Sequence, residues 1–268
     1  ACPDNDLVAM ATVADIVPLL DENRSIVKKG LERMNQRPRY AIEALSKVCG
    51  LHGKQIGSGN IGFGFGPRIN AAGRLGDAKR ALRLLLAEDR KTAMELAVEL
   101  DEENQRRQQT EQEMLKQACQ LLDEYVDSQR VAVVAKEGWH SGVAGIVASR
   151  LVELYQRPSA VICLENGVAT GSARGIPGVH IFEALDACRD LMIKYGGHAQ
   201  AGGFSLKQEN LPAFMERYNE FFCTHYPLST WVPTVDCDVL LTPEDVTVPL
   251  AESFSAMAPF GMGNPTPT

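Results

Sequence analysis

The fold of this chain is decided by residues 130–164, which open with Arg130-Val-Ala-Val-Val-Ala135. Such a β-branched run is typical of a strand. Residues 142–155 repeat apolar side chains at helical spacing, and residues 158–164 return to a short apolar run. A strand, a helix and a second strand in this order predict the start of an α/β domain.

The same alternation continues to residue 222. We expect a third strand at 168–172, a helix at 181–189, a fourth strand at 203–206 and a closing helix at 211–222. Strands that alternate with helices predict a complete α/β domain over residues 126–228.

Residues 78–125 precede this domain and have a helical pattern, with leucines along one face of the first half. The stretch from Asp101 to Glu113 reads DEENQRRQQTEQE and contains no strongly apolar residue. A helix that is polar all round usually bridges solvent between domains. We therefore predict a long connector helix over residues 78–125, with the domain boundary in its polar stretch. A coiled-coil arm is the alternative, although no heptad repeat is sustained.

Residues 1–77 form the first part of the chain. Residues 7–20 are almost unbroken apolar sequence, interrupted by Asp15, and Pro18 prevents a continuing helix. Two short helices are expected at 23–35 and 40–48, followed by a glycine-rich loop at 57–66.

Residues 229–268 are proline-rich and end the chain. We expect one strand at 235–241 and then a loop that includes Pro259-Phe-Gly-Met-Gly-Asn-Pro265. This part is predicted to be a linker toward a further domain. Since the sequence also lacks an initiator methionine, we expect the chain to be a piece of a longer protein.

Composition and charge exclude several classes of protein. No stretch approaches the ~20 apolar residues of a transmembrane helix, and the N-terminus has no signal-peptide pattern. Seven scattered cysteines without zinc-site spacing favour reduced thiols in a cytosolic protein. The 27 basic and 34 acidic side chains give a net charge of −7, which on its own speaks against binding to nucleic acid.

One acidic side chain is a candidate metal ligand. Asp15 lies inside an apolar segment, where a carboxylate is costly to bury unless it is paired or bound to a metal. The alternative is a capping or turn residue ahead of Pro18.

Three motifs of the α/β domain combine glycine with histidine, serine or arginine. His140 lies between a strand and a helix start, where backbone N–H groups favour an anion. Ser172 and Arg174 lie two apart on a strand and should face the same side, where both would meet one phosphate. Glycines flank His198, and the backbone of Gly196 and Gly197 would approach a ligand closely.

The structural alternatives are a buried histidine in a turn, a polar strand end and a flexible hairpin, respectively. Because all three motifs lie at strand ends, we expect a polyanionic ligand across one edge of the sheet. A fourth motif, Gly66-Pro-Arg-Ile-Asn-Ala-Ala-Gly-Arg74, offers Arg68, Asn70 and Arg74 as a clamp on a nucleic-acid backbone, with helix capping as the alternative.

These motifs resemble the RecJ family of the DHH phosphoesterase superfamily, which are 5′→3′ exonucleases specific for single-stranded DNA. The resemblance covers residues 6–265. Its specific motifs are residues 66–74 and Trp139-His-Ser-Gly-Val-Ala-Gly-Ile-Val-Ala-Ser-Arg150, whereas Gly171-Ser-Ala-Arg174 and Gly196-Gly-His198 occur across the superfamily.

The resemblance implies an α/β architecture with four parts: the C-terminal part of a DHH domain (1–77), a connector helix (78–125), a DHH-associated mixed-sheet domain (126–228) and a linker toward an OB-fold (229–268). Asp15 matches a ligand of the catalytic Mn²⁺ or Mg²⁺, and Ser172 and Arg174 match the pair that receives the 5′-phosphate end. His140, Gly196, Gly197 and His198 match the wall that faces the DNA, and Arg68, Asn70 and Arg74 match the connector motif beside it.

The resemblance further implies a bacterial, cytoplasmic enzyme of DNA repair and recombination without membrane contact. Helicases or single-strand-binding proteins would be its partners. The Asp-His-His motif of the family does not occur in this sequence, and the family's Asp-x-Asp strand end is not among the matched motifs. Because two-metal hydrolysis requires several such ligands, we expect this chain alone to bind the strand, to hold no metal stably and to be catalytically inactive.

Two other functions remain open from the sequence. One is a DHH-family phosphodiesterase acting on oligoribonucleotides or cyclic dinucleotides, whose members are usually shorter after the Gly-Gly-His motif. The other is a non-catalytic nucleic-acid-binding module, which would not require the motif at residues 66–74.

Overall fold

The computed structural model describes residues 4–75, 77–123, 129–232 and 234–268. The described residues form two compact units. Unit 1 comprises the residues up to Arg106 together with those from Val235 onward, and unit 2 runs from Arg107 to Thr234. The predicted limits of the connector at residues 124 and 125, and of the α/β domain at 126, lie outside the described residues.

Unit 2 is built on a five-stranded mixed sheet in the order β1-β2-β3-β5-β4. The strands are β1 Ala132–Glu137, β2 Ser159–Glu165, β3 Val168–Arg174, β4 Met192–Gly197 and β5 Ala201–Lys207. Strands β1 and β2 pair in parallel, and the other neighbours pair antiparallel. The predicted fold class, α/β with a mixed sheet, is confirmed.

Three helices pack on this sheet. They are α8 Ser141–Tyr155, α9 Ile181–Asp186 and α10 Leu211–His225. Helix α8 connects the parallel strands β1 and β2, as a parallel pair requires. On the other side of the sheet, apolar side chains of β2, β3 and β5 form a buried core with α9 and α10, including Ile162, Phe204 and Phe214.

One strand and one helix end differ from the sequence prediction. Strand β4 was not predicted, because its sequence Met-Ile-Lys-Tyr-Gly-Gly has no run of buried apolar residues, and the strand is held mainly by backbone pairing with β5. The helix predicted at 181–189 ends at Asp186, and a 3₁₀ turn follows at Arg189–Leu191.

The predicted continuous connector is two helices, α6 Lys79–Leu85 and α7 Arg90–Leu122. The polar stretch of α7 is also not solvated all round, since Glu103, Asn104 and Arg107 are buried. Ion pairs supply the reason: Glu103 binds Arg80 within unit 1, and Arg107 binds Glu111 within unit 2, each at 2.7 Å.

The first helices of unit 1 are α1 Asn5–Ala14, α2 Asp21–Gln36 and α3 Tyr40–Val48. The glycine-rich segment was predicted to be a loop, and this is wrong. Helix α4 Ser58–Asn60, a π-helical turn Ile61–Phe65 and helix α5 Gly66–Leu75 follow one another without a break. Burial of Ile61, Phe65 and Ala72 in the apolar core of unit 1 outweighs the low helix propensity of glycine.

The strand predicted at 235–241 is also wrong, since no strand partner pairs with this segment among the described residues. A short helix α11, Val248–Phe254, follows. The carbonyls of Met257, Phe260 and Met262 then accept hydrogen bonds from Arg24 Nη2, Ser58 Oγ and Leu19 N, at 2.7, 2.7 and 2.6 Å. The segment 257–264 is therefore part of unit 1; a further domain beyond it stays a prediction.

Six of the seven cysteines lie within the described ranges, and all six are free thiols: Cys49, Cys119, Cys163, Cys188, Cys223 and Cys237. Burial raises the pKa of Cys163 and Cys188 to about 11. None of the described helices is both long and apolar enough to cross a membrane.

Unit 1 contains one fully buried carboxylate, Asp6. Arg39 donates to it through Nε and Nη2, both at 2.7 Å, and the Leu7 backbone N–H donates at 3.0 Å. Burial alone would raise the pKa of Asp6, but the hydrogen bonds and charge of Arg39 outweigh it and hold the pKa below its usual value. The pair therefore stabilises unit 1 in the ionised state.

We expect Asp6→Asn to lower the free energy of unfolding of unit 1 by about 3 kcal/mol at pH 7, because Arg39 loses a buried partner. The loss should shrink as the pH falls. A carboxyl with a depressed folded pKa contributes stability that is complete above its unfolded pKa of about 3.9 and disappears as the pH drops through the folded value. Urea unfolding monitored between pH 7 and pH 3 measures both effects.

Asp190→Asn is the matched control, since it breaks an ion pair with Arg217 in which both side chains are substantially exposed. It should cost less than about 1 kcal/mol. An equal effect of the two substitutions, or an Asp6→Asn loss independent of pH, would contradict the assignment.

Candidate functional site

Ser172 and Arg174 lie on the same side of β3, against helix α8. A Cβ atom added at Gly145 of α8 would lie 2.6 Å from Arg174 Nη2 and 3.6 Å from Ser172 Oγ. Both side chains are half-buried. The structure therefore brings the predicted pair together, and the missing side chain of Gly145 provides the space for the guanidinium group.

Arg174 is held at this place by its own strand. Its Nη1 donates to the carbonyl of Ala173 at 2.8 Å. Ser172 pairs with Gly203 of β5, and Arg174 pairs with Ala201. A guanidinium and a hydroxyl that emerge from a rigid strand beside a helix form a suitable receptor for one phosphate group.

The Gly-Gly-His turn lies next to this strand end. Gly196 and Gly197 end β4, and a Cβ atom at Gly197 would lie 2.3 Å from the Ala201 carbonyl oxygen, so only glycine fits there. The His198 backbone N–H donates to that oxygen at 2.8 Å. The exposed turn is further tied to β3, because Gly175 N donates to Gln200 O at 2.9 Å.

His198 has one nitrogen engaged within the turn, since its Nδ1 accepts from Gln200 N at 3.3 Å. This bond leaves Nε2 on the exposed side of the ring. The turn is thus a hydrogen-bonded hairpin with an exposed histidine.

His140 lies at the start of α8, five residues before Gly145. Its Nδ1 accepts from Gly142 N at 3.1 Å and caps the helix. In the sheet register, β1 Glu137 is paired with Leu164, whereas Arg174 is paired with Ser159 at the other end of β2. Helix α8 nevertheless brings Gly145, of the same motif as His140, against Arg174. That His140 itself faces the same ligand as Ser172 and Arg174 stays a prediction.

The connector motif is divided between the inside and the surface of unit 1. Arg68 Nε donates to Asp101 at 2.7 Å, and its Nη1 donates to the Gly64 carbonyl at 2.9 Å. Only 17% of the Arg68 side chain is exposed, so its hydrogen bonds stabilise the fold. Asn70 and Arg74, in contrast, are exposed on α5.

Asp15 ends helix α1 and is exposed. The next residue, Ile16, has φ +56° and is 66% exposed. A β-branched residue in the left-handed region is strained, and such strain is concentrated at functional sites. The strain adds an observation in favour of a functional Asp15 that local sequence did not provide.

The metal prediction rests on this one carboxylate. In the part of the chain that the structure describes, no three His, Cys, Asp or Glu side chains are grouped so as to hold a metal ion. Asp15 by itself does not fit a two-metal centre, which requires several ligands. A metal site with Asp15 as one ligand requires ligands beyond those grouped in the described part of the chain.

Two contributing residues escaped the sequence analysis. Gly145 was part of a quoted motif, but its contact with Arg174 depends on how α8 crosses β3. Phe63 was assigned to a loop, although its side chain is 89% exposed on a helical turn. The sequence signal that could have identified Phe63 is its position as an aromatic residue between two glycines.

Comparison with known proteins yields one domain family and a consistent group of relatives. The DHHA1 domain matches residues 128–224. The single-stranded-DNA-specific exonuclease RecJ of Bacillus subtilis is 41% identical over 267 residues, and that of Escherichia coli is 36% identical over 273 residues. Both alignments cover 98% of this chain, which spans 34% and 47% of the two relatives.

Solved structures of a RecJ protein also match this chain over nearly its whole length. RecJ of Thermus thermophilus in complex with Mg²⁺ superposes with a TM-score of 0.88 at 35% identity, covering 98% of this chain and 41% of that protein. The Mn²⁺ complex of the same protein gives a TM-score of 0.87 at 34% identity, covering 98% and 39%. Over nearly its whole length the chain is therefore homologous to part of the RecJ exonucleases, with a DHHA1 domain match in unit 2.

Proposed function

We propose that this chain is the strand-binding part of a RecJ-type exonuclease that degrades single-stranded DNA in the 5′→3′ direction. The observation that carries the proposal is the placement of Arg174 and Ser172 against Gly145. This arrangement offers a charged fork and a hydroxyl group to a terminal phosphate, in the motif by which the sequence resembles the family.

The residues of this chain would act by binding and orienting the strand. Arg174 and Ser172 bind the 5′-phosphate, and the Gly-Gly-His turn beside them lets the strand backbone approach closely. Asn70 and Arg74 contact the strand along unit 1, whereas Arg68 positions α5 through Asp101. His140 caps the start of α8 and contacts the DNA strand there.

Metal ions belong to the longer protein in this proposal. Bound Mn²⁺ or Mg²⁺ would supply an activated water molecule and stabilise charge on the phosphodiester. The described residues do not hold such ions by themselves, so Asp15 would complete a site whose other ligands lie elsewhere.

The cellular setting follows from the same proposal. An exonuclease for single-stranded DNA serves DNA repair and recombination in the bacterial cytoplasm. Helicases that produce single strands and proteins that coat them are the expected partners.

Arg174→Ala should weaken binding of 5′-phosphorylated single-stranded DNA by roughly tenfold or more, because a charge-assisted hydrogen bond contributes about 1.5–3 kcal/mol. Binding of the 5′-hydroxyl oligonucleotide should change little. Fluorescence anisotropy with both oligonucleotides measures the difference.

Arg189→Ala is the control, since it removes an exposed arginine of the same unit. It should affect both oligonucleotides equally and weakly. Equal losses for the two oligonucleotides in Arg174→Ala would refute the 5′-phosphate role.

Gly145→Ala tests the position of Arg174 without removing its charge. The added methyl group displaces the guanidinium, the flexible end of the side chain, so folding should be little affected. We expect the preference for a 5′-phosphate to fall about as far as in Arg174→Ala. A variant that keeps the full preference would show that this close approach does not create the receptor.

Purified chain should not degrade single-stranded DNA in the presence of Mn²⁺, because most metal ligands are missing. Gel analysis of an end-labelled oligonucleotide checks this expectation. Degradation that disappears in Asp15→Ala would contradict it, since the chain would then contain a complete centre.

A further inference from the structure

Phe63 is the most exposed aromatic side chain among the large apolar residues exposed in the described ranges, at 89%. It lies in the π-helical turn Ile61–Phe65, between Gly62 and Gly64. Exposing a phenylalanine forfeits roughly 2 kcal/mol of burial free energy, so its position calls for a function. Single π-helical turns are frequent at functional sites.

The neighbouring side chains of the same helical run share this orientation. Residues 63, 67, 70 and 74 recur at helical spacing, while Ile61, Phe65 and Ala72 on the opposite side are buried in the core of unit 1. Phe63, Asn70 and Arg74 are all exposed. We call Phe63, Asn70 and Arg74 the α5 stripe: an aromatic ring, an amide and a guanidinium in a row.

The turn that carries Phe63 packs against the end of helix α1. A Cβ atom at Gly62 would lie 3.9 Å from Val13, and one at Gly66 would lie 3.5 Å from Ala14, directly before Asp15. The small residues of this run therefore let it pack closely against α1. Phe63 thus lies on a turn that is in contact with the last residues of α1, which the exposed Asp15 and the strained Ile16 follow in sequence.

We propose that Phe63 is a stacking platform for one base of the DNA strand, with Asn70 and Arg74 contacting the adjacent backbone. The proposal rests on the proposed function and names a residue that adds base contact to it. With 89% of its surface exposed, the Phe63 side chain is accessible to a base. Stacking accepts every base, as a nuclease without sequence preference requires.

The alternative occupant of this surface is an apolar segment of protein. The polar members of the α5 stripe favour the strand, because Asn70 and Arg74 offer donors to phosphate oxygens and nothing to an apolar segment. Base stacking requires an aromatic side chain at position 63, whereas contact with an apolar protein segment does not.

The test compares Phe63→Trp, Phe63→Leu and Phe63→Ala in the 268-residue chain, using anisotropy with a 5′-phosphorylated oligonucleotide and with the same oligonucleotide made abasic. Base stacking predicts that leucine and alanine both weaken binding by about fivefold or more, that tryptophan retains it, and that the abasic oligonucleotide abolishes these differences. Leu82→Ala, at another exposed apolar residue of unit 1, is the control and should have no effect.

Three results would overturn the inference. Full binding by Phe63→Leu and Phe63→Ala, with Arg174→Ala still impaired, would refute the platform in favour of an apolar protein segment as occupant and leave the proposed function intact. Retention of binding by leucine and not by alanine would show an apolar contact with the strand in place of base stacking. Absence of DNA binding by the unaltered chain would overturn the proposed function and this inference together.

Discussion

The close approach of helix α8 to strand β3 at Gly145 is the constraint on which the candidate site depends. Any side chain at this position would occupy the space of the Arg174 guanidinium. Because α8 is also the crossover between the parallel strands β1 and β2, its path over the sheet is set by the topology of unit 2. The candidate phosphate receptor therefore depends on three features: the path of α8 over the sheet, the absence of a side chain at Gly145, and the position of Arg174 on β3.

The sequence was most informative where one physical pattern dominated. The β-branched run of β1 and the apolar face of α8 were predicted within two residues of their observed limits, because both elements are built around a buried core. The same reasoning failed for β4, whose backbone pairing leaves little trace in its side chains. It also failed at residues 235–241, where alternation of apolar and polar residues resembles a strand but no partner pairs with it.

The candidate site was foreseen in part. Ser172 and Arg174 were predicted from the two-residue period of a strand, which is a local property. Which motifs come together depends on sheet register and on the path of α8, and no local sequence pattern reveals either. The connector arginines look alike in sequence, yet Asp101 engages Arg68 while Arg74 is exposed. Asp6 and Glu103 are buried acids of unit 1, whereas Asp15 is exposed.

The hydrogen bonds between residues 257–262 and the first helices have a consequence for synthesis on the ribosome. Arg24 and Met257 are 233 positions apart, and all of unit 2 lies between them. Among the described residues, the apolar core of unit 1 is formed by side chains between Leu7 and Leu100, so it is able to collapse while unit 2 is still being translated. Unit 2 then folds as an insertion within unit 1, and at ~5–20 residues per second the final segment arrives roughly 8–30 s later. During that interval Leu19, Arg24 and Ser58 lack the carbonyl partners that the final segment supplies.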